Sequence, residues 1–181
     1  ACEDTRNTRK LLSHFDIHTP LVTDRKTLGL LAQDKHVALV SDAGTPGVSD
    51  PGLELVSQAR AAGAKIETIP GASALAAALA VAGLRVPSFT FYAFLPQKKG
   101  REKLFKEMAD NERSSIFYES PHRIIKALLS LKKVAPERRV GLYRELTKIY
   151  EEAIIGTPQE LLSMLEAEPV KQKGEFVVIL E

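Results

Sequence analysis

The chain has 181 residues, enough for one large domain or two small ones, and is 44% hydrophobic and 27% charged, as ordinary globular proteins are. Its net charge of +2 is too small to mark a nucleic-acid binder by charge alone, and its single cysteine, Cys2, excludes an internal disulfide and fits a reducing compartment such as the cytoplasm. The most apolar stretch, Ala72 to Leu84, is too short to span a bilayer, no secretory signal is read, and four histidines and one cysteine without metal-ligand spacing predict no metal site.

Ala1-Cys2-Glu3-Asp4 leads without a methionine straight into a helical pattern, so the chain is expected to begin partway through a longer protein. Helices are predicted over Thr5 to Phe15 and Thr23 to Asp34, and the apolar run Val37-Ala38-Leu39-Val40 predicts a buried strand over His36 to Ser41. The loop that follows, Ser41-Asp42-Ala43-Gly44-Thr45-Pro46-Gly47-Val48-Ser49-Asp50-Pro51-Gly52, is long for a connection between strand and helix. Asp50-Pro51 reads as an N-cap and first helical proline, opening a helix to Ala62 that Gly63 stops. A short strand over Lys65 to Ile69 then turns through Pro70-Gly71-Ala72-Ser73 into an alanine-rich helix ended by Gly83.

A change of character at Arg85-Val86-Pro87 places a domain boundary after Val86, giving an N-terminal α/β domain over 1–86 and a mixed α/β domain over 87–181. In the second domain, strands are predicted over Ser88 to Leu95 and Ser115 to Glu119, with an amphipathic helix over Lys98 to Asn111 between them. Ser120-Pro121 opens a helix to Val134 that buries Ile124, Ile125, Leu128 and Leu129. Val140 to Glu145 and Tyr150 to Ile155 have no helical stretch between them and predict an antiparallel pair. Thr157-Pro158-Gln159-Glu160 is a capping box, and Glu175 to Leu180 is a final strand. The fold expected is therefore α/β: two small α/β domains with a cleft between them.

Loops 42–52 and 70–74 both follow predicted strands, so a parallel sheet projects them from one edge, where small ligands bind in α/β folds. With no P-loop and no Gly-x-Gly-x-x-Gly, the ligand expected there lacks a pyrophosphate. Glu3-Asp4-Thr5-Arg6 reads either as acidic residues at the positive end of a helix or as part of the same cleft. His122, in Phe117-Tyr118-Glu119-Ser120-Pro121-His122-Arg123, reads first as a solvated first-turn residue. Lys98, Lys99, Arg101, Lys103 and Lys106 make one basic helix, and Lys132, Lys133, Arg138 and Arg139 a second cluster; together they predict a phosphate-binding surface, diluted by Glu102 and Glu107.

These motifs, with Phe94-Leu95-Pro96, Arg144-Glu145-Leu146-Thr147-Lys148 and Gly174-Glu175-Phe176-Val177, occur in an order that resembles the bacterial small-subunit ribosomal RNA cytidine 2′-O-methyltransferases, a family within the tetrapyrrole methylase-like class III S-adenosylmethionine methyltransferases. The resemblance covers essentially the whole chain. It implies S-adenosylmethionine held in the cleft, 2′-O-methylation of a cytidine ribose in 16S ribosomal RNA, a homodimer, and a cytoplasmic enzyme whose partner is the small ribosomal subunit, with neither DNA nor membrane involved. It also implies a first strand and a Thr-Pro-Ile-Gly-Asn loop before Glu3, both part of the cleft. Carried over by motif, Asp42, Ala43, Gly44, Thr45, Val48, Ser73 and Ala74 line the cofactor, with Tyr118, Glu119 and Leu146 closing over it from the second domain. Lys98, Lys99, Arg101, Lys103 and Arg123 are the residues expected on RNA. The chemistry implied is in-line attack of a ribose 2′-hydroxyl on the sulfonium methyl, accelerated by alignment, with Glu3, Asp4 and Glu119 as candidate bases. Two other readings stay open: methylation of a tetrapyrrole, another small molecule or a protein side chain on the same fold, and a non-catalytic RNA-binding module.

Overall fold

A computed structural model describes residues 1–49 and 52–181, with the backbone alone at Asp24 and Arg25. The chain divides into two compact units, Ala1–Ser73 and Ala74–Glu181.

Among the described residues the first unit holds three helices: α1 (Thr5–His14), α2 (Asp24–Leu31) and α3 (Leu53–Ala61). Asp4 caps α1 by accepting from the Arg6 backbone N–H at 2.8 Å, which satisfies one of the helix's orphan donors. The expected N-cap and proline at Asp50-Pro51 lie outside the described residues. The strands expected over 36–41 and 65–69 do not form ladders. Val40 makes one parallel bridge with Cys2, supported by Val40 N–H donating to Ala1 O at 2.9 Å and the Ala1 amino group to Ala38 O at 2.6 Å. A strand is defined by its neighbour, and beyond that bridge neither segment pairs with one among the described residues. The run 37–40 is accordingly half-buried to exposed, and Ile69 is 83% exposed.

The second unit is built on one mixed sheet with strand order β1 (Phe89–Phe94), β2 (Ser114–Glu119), β5 (Phe176–Leu180), β3 (Val140–Arg144), β4 (Glu152–Gly156). β1 and β2 are parallel and every other pairing is antiparallel, including the expected β3–β4 pair. Side chains alternate across the sheet, so each strand supplies two cores. On one face Phe117, Leu142, Phe176, Val178 and Leu180 pack under α5 (Arg101–Asp110), α6 (Ile124–Val134) and α7 (Pro158–Ala167). On the other, Ile116, Tyr143, Val177 and Ile179 meet Ala78 and Ala82 of α4 (Ala74–Ala80) and its following turn. The Tyr143 hydroxyl donates to Ala82 O there. Residues 74–86, grouped by composition with the N-terminal part, thus pack on the second unit's sheet, through alanines small enough to bring the helix close to it.

The α7 capping box is present, with the Thr157 hydroxyl accepting from Glu160 N–H and the Glu160 carboxylate accepting from Thr157 N–H at 2.7 Å. In α6 the buried apolar positions are Ile124, Ala127, Leu128 and Leu131, one helical stripe, with Ser130 buried beside them. Leu129, expected inside, is off that stripe and 43% exposed.

Candidate functional site

In the first unit, the two loops singled out by their composition are joined. Thr45 Oγ1 donates to Ala72 O at 2.9 Å, and a Cβ at Gly71 would lie 3.6 Å from the same hydroxyl. Ser41 Oγ donates to Ala43 O at 2.9 Å and turns the chain into the loop. Gly44 (φ 74°) and Gly47 (φ 81°) then take the left-handed conformation that glycine adopts without a steric penalty. Asp42 accepts from Asn7 Nδ2 at 2.8 Å, which ties the loop to α1. Asp42, Ala43, Gly44 and Val48 are exposed and Thr45 half-buried, so the loop offers backbone and small side chains to a ligand. Ser73 ends this unit half-buried, and Ala74 opens α4 exposed.

The acidic entry to α1 is a cap. Both Asp4 oxygens are held by Arg6, at 2.7 Å to Nη2 and 3.2 Å to Nε. Those hydrogen bonds, the side-chain ones first, lower its pKa to about 2. A carboxylate this acidic is a poor proton acceptor at neutral pH, which argues against Asp4 as the base. Glu3 is exposed.

In the second unit, the pairing places the carboxyl ends of β1, β2 and β3 along one edge of the sheet, with Glu119 and Arg144 both opposite Phe176. Tyr118 and Glu119 are neighbours in sequence and therefore face opposite ways. Tyr118 and Leu146 pack on the α4 face with Ile116 and Tyr143. Glu119 lies on the other face, 1% exposed, where its carboxylate meets Arg101 Nη2 at 2.5 Å, Arg123 Nε at 2.8 Å and the Ser120 N–H at 2.8 Å. The two guanidiniums continue to Pro96 O and Leu95 O, each at 3.3 Å. Arg101 and Arg123, expected on RNA, are both held by Glu119 and by the Leu95-Pro96 turn, and Glu119, expected over the cofactor and as a candidate base, is buried and doubly ion-paired.

Lys98, Lys99 and Lys103 are exposed and form no ion pair among the described residues, as a phosphate-binding surface requires; His122 is also exposed. Of the second basic cluster, Arg138 is withdrawn. Its guanidinium donates to Met108 O, Ala109 O and Asn111 O at the end of α5 and to Glu181 O, and burial lowers its pKa. Among the described residues no group of His, Cys, Asp or Glu is placed to hold a metal, and no helix is long and apolar enough to cross a membrane.

Motif reading found two segments but missed what they do together. Glu145 (φ 49°) accepts from the Glu175 N–H at 2.9 Å and from Lys148 Nζ at 3.0 Å, and Lys148 reaches Glu175 at 2.8 Å. The backbone N–H of Glu175, then Lys148, hold the Glu145 carboxyl below its usual range, and the two carboxylates raise Lys148. The turn that carries Leu146 is fixed by this network. Its sequence signal is two charged motifs, with Glu145 and Glu175 30 positions apart, that are brought together by the pairing of β5 with β3.

The chain matches the family described as Tetrapyrrole (Corrin/Porphyrin) Methylases over residues 6–162. It is 44% identical over 191 residues to the Ribosomal RNA small subunit methyltransferase I of Halalkalibacterium halodurans, covering 100% of this chain and 65% of that one. To the protein of the same name from Xylella fastidiosa it is 43% identical over 190 residues, covering 99% and 70%. The chain thus spans about two thirds of the length of these curated relatives. Among solved structures, diphthine synthase superposes with a TM-score of 0.69 at 15% identity, over 95% of this chain and 72% of that one. The methyltransferase CobJ gives 0.63 at 22% identity, over 91% and 73%. The chain belongs to the tetrapyrrole (corrin/porphyrin) methylase family.

Proposed function

We propose that the protein is an S-adenosylmethionine-dependent methyltransferase that modifies the ribose 2′-hydroxyl of a cytidine in 16S ribosomal RNA, acting in the cytoplasm on the small ribosomal subunit as a homodimer. The observation that carries the reading is the 44% identity, over the whole of this chain, to a ribosomal RNA small subunit methyltransferase I. The first unit's joined loops fit the cofactor: backbone and small side chains are exposed at Ala43, Gly44 and Val48, with Thr45 tied to Ala72. When bound, S-adenosylmethionine supplies an electrophilic methyl group. The chain's own work is to bind and orient: the loops hold the cofactor in one pose, and Lys98, Lys99 and Lys103 attract the phosphate backbone. Alignment of this kind is worth several orders of magnitude in rate.

The test is transfer of a labelled methyl group from the cofactor to small ribosomal subunits, naked 16S ribosomal RNA and tetrapyrroles, followed by mapping of the labelled nucleotide. Label in a ribose of the RNA is expected. Label in the tetrapyrrole alone moves the protein to small-molecule methylation, and cofactor-independent RNA binding without transfer makes it a binding module.

A further inference from the structure

The parallel pairing of β1 with β2 contains one residue too many. Phe91 pairs with Ile116 and Phe94 with Tyr118, so three steps along β1 match two along β2. The extra residue is absorbed at Ala93, whose φ of 55° is left-handed although it is not a glycine. In a regular strand, residues three apart face opposite ways; the bulge brings Phe91 and Phe94 to the same face. Both rings meet Tyr118 edge to face, at 5.1 Å and 5.3 Å between centroids.

Burial does not explain this strain, because Phe94 is 56% exposed. The strained backbone holds an aromatic ring at the surface in a fixed orientation. The turn that follows is held just as firmly, through Leu95 O on Arg123 and Pro96 O on Arg101. That turn leads to Lys98 and Lys99, both exposed and without an ion pair among the described residues. No acidic residue intervenes before Glu102, whose carboxylate accepts from Ser130 Oγ at 2.9 Å. A fixed, exposed aromatic face followed within five residues by two free cations is the pattern by which proteins hold single-stranded nucleic acid.

We propose that Phe94 is a stacking platform for an unpaired base of the RNA substrate, with Lys98 and Lys99 on the adjoining phosphates. The positive charge beside the ring favours a polyanion over a second copy of this chain. The proposal rests on the ribosomal RNA reading and adds the residue that grips a base.

Binding of a labelled single-stranded RNA oligonucleotide, measured over a range of salt, tests it on the wild type, Phe94→Ala, Phe94→Tyr and the double variant Lys98→Ala/Lys99→Ala. Phe94→Ala is expected to lose roughly ten-fold in affinity with an unchanged salt slope, and Phe94→Tyr to stay within about two-fold of wild type. The lysine double variant should flatten the slope by about 1.4, or about 0.7 for each phosphate no longer neutralised. Equal affinity of Phe94→Ala and wild type overturns the proposal while leaving the RNA reading in place. A wild type that binds no RNA overturns both. Sedimentation supplies a further check: a Phe94→Ala protein that is monomeric where wild type is dimeric assigns the ring to a second copy and overturns the proposal.

Discussion

Gly174 and Glu145 pack so closely that a Cβ added at residue 174 would lie 2.6 Å from Glu145 Cγ. Gly174 also has a φ of 102°, where any L side chain is strained. Gly174→Ala is therefore expected to destabilise the second unit by about 1–3 kcal/mol, through clash and backbone strain together. Urea denaturation measures it. A midpoint equal to wild type would show that the Glu145 turn yields without cost.

Glu119 is held between two arginines, and removing it leaves both guanidiniums facing a buried gap. Breaking a buried ion network from one side costs about 3–5 kcal/mol, so Glu119→Leu should be among the most destabilising substitutions in the chain. Arg101→Met, which leaves Glu119 one arginine and the Ser120 N–H, is expected to cost clearly less. Thermal unfolding of the two variants gives the order, and the reverse order would rule out this account.

Thr45→Val keeps the shape of Thr45 but removes the hydroxyl that joins the two loops of the first unit. A hydrogen bond of this kind contributes about 1 kcal/mol, so cofactor affinity should fall by about five-fold, with Thr45→Ser restoring most of it. Titration calorimetry with S-adenosylmethionine reads both. Identical affinities for all three proteins would remove the Thr45–Ala72 link from the cofactor's support.

Burial pushes the Tyr143 hydroxyl up to about 12, from an ordinary value of 10.0. The folded protein thus holds this proton at pH values where the unfolded chain releases it. Tyr143's contribution is complete below pH 10 and is lost as pH rises towards 12. Compared with Tyr143→Phe, which lacks the bond to Ala82 O, the wild type should be more stable by about 1 kcal/mol at neutral pH, and that margin should close in the alkaline window. Urea midpoints of the two proteins between pH 8 and about 12 follow it; a margin that stays constant would mean that Tyr143 does not titrate there.

The second unit was legible wherever local chemistry decides structure. The Thr157–Glu160 box, the proline within it and the apolar runs of β2, β3 and β5 each specify an element without outside help. The first unit's strands were not, since Val37 to Val40 has the composition of a strand but, among the described residues, finds only Cys2 for a bridge. Charged residues are hard to read from sequence for a different reason. Arg101 and Arg123 look like the lysines around them in sequence, and only the fold shows that Glu119 stands between them. Likewise a one-residue bulge at Ala93 has no signature in composition, yet it decides which way Phe94 faces.

The strand at the heart of the sheet follows the other four in the chain. β5 is fully buried and lies between β2 and β3, so β1–β2 and β3–β4 share no ladder until residues 176–180 take their place. During synthesis the two halves must wait, each with an unsatisfied inner edge, for a segment that leaves the ribosome after both. Completion of the sheet is consequently a single late event, and the waiting halves are the stage at which a chaperone has most to offer.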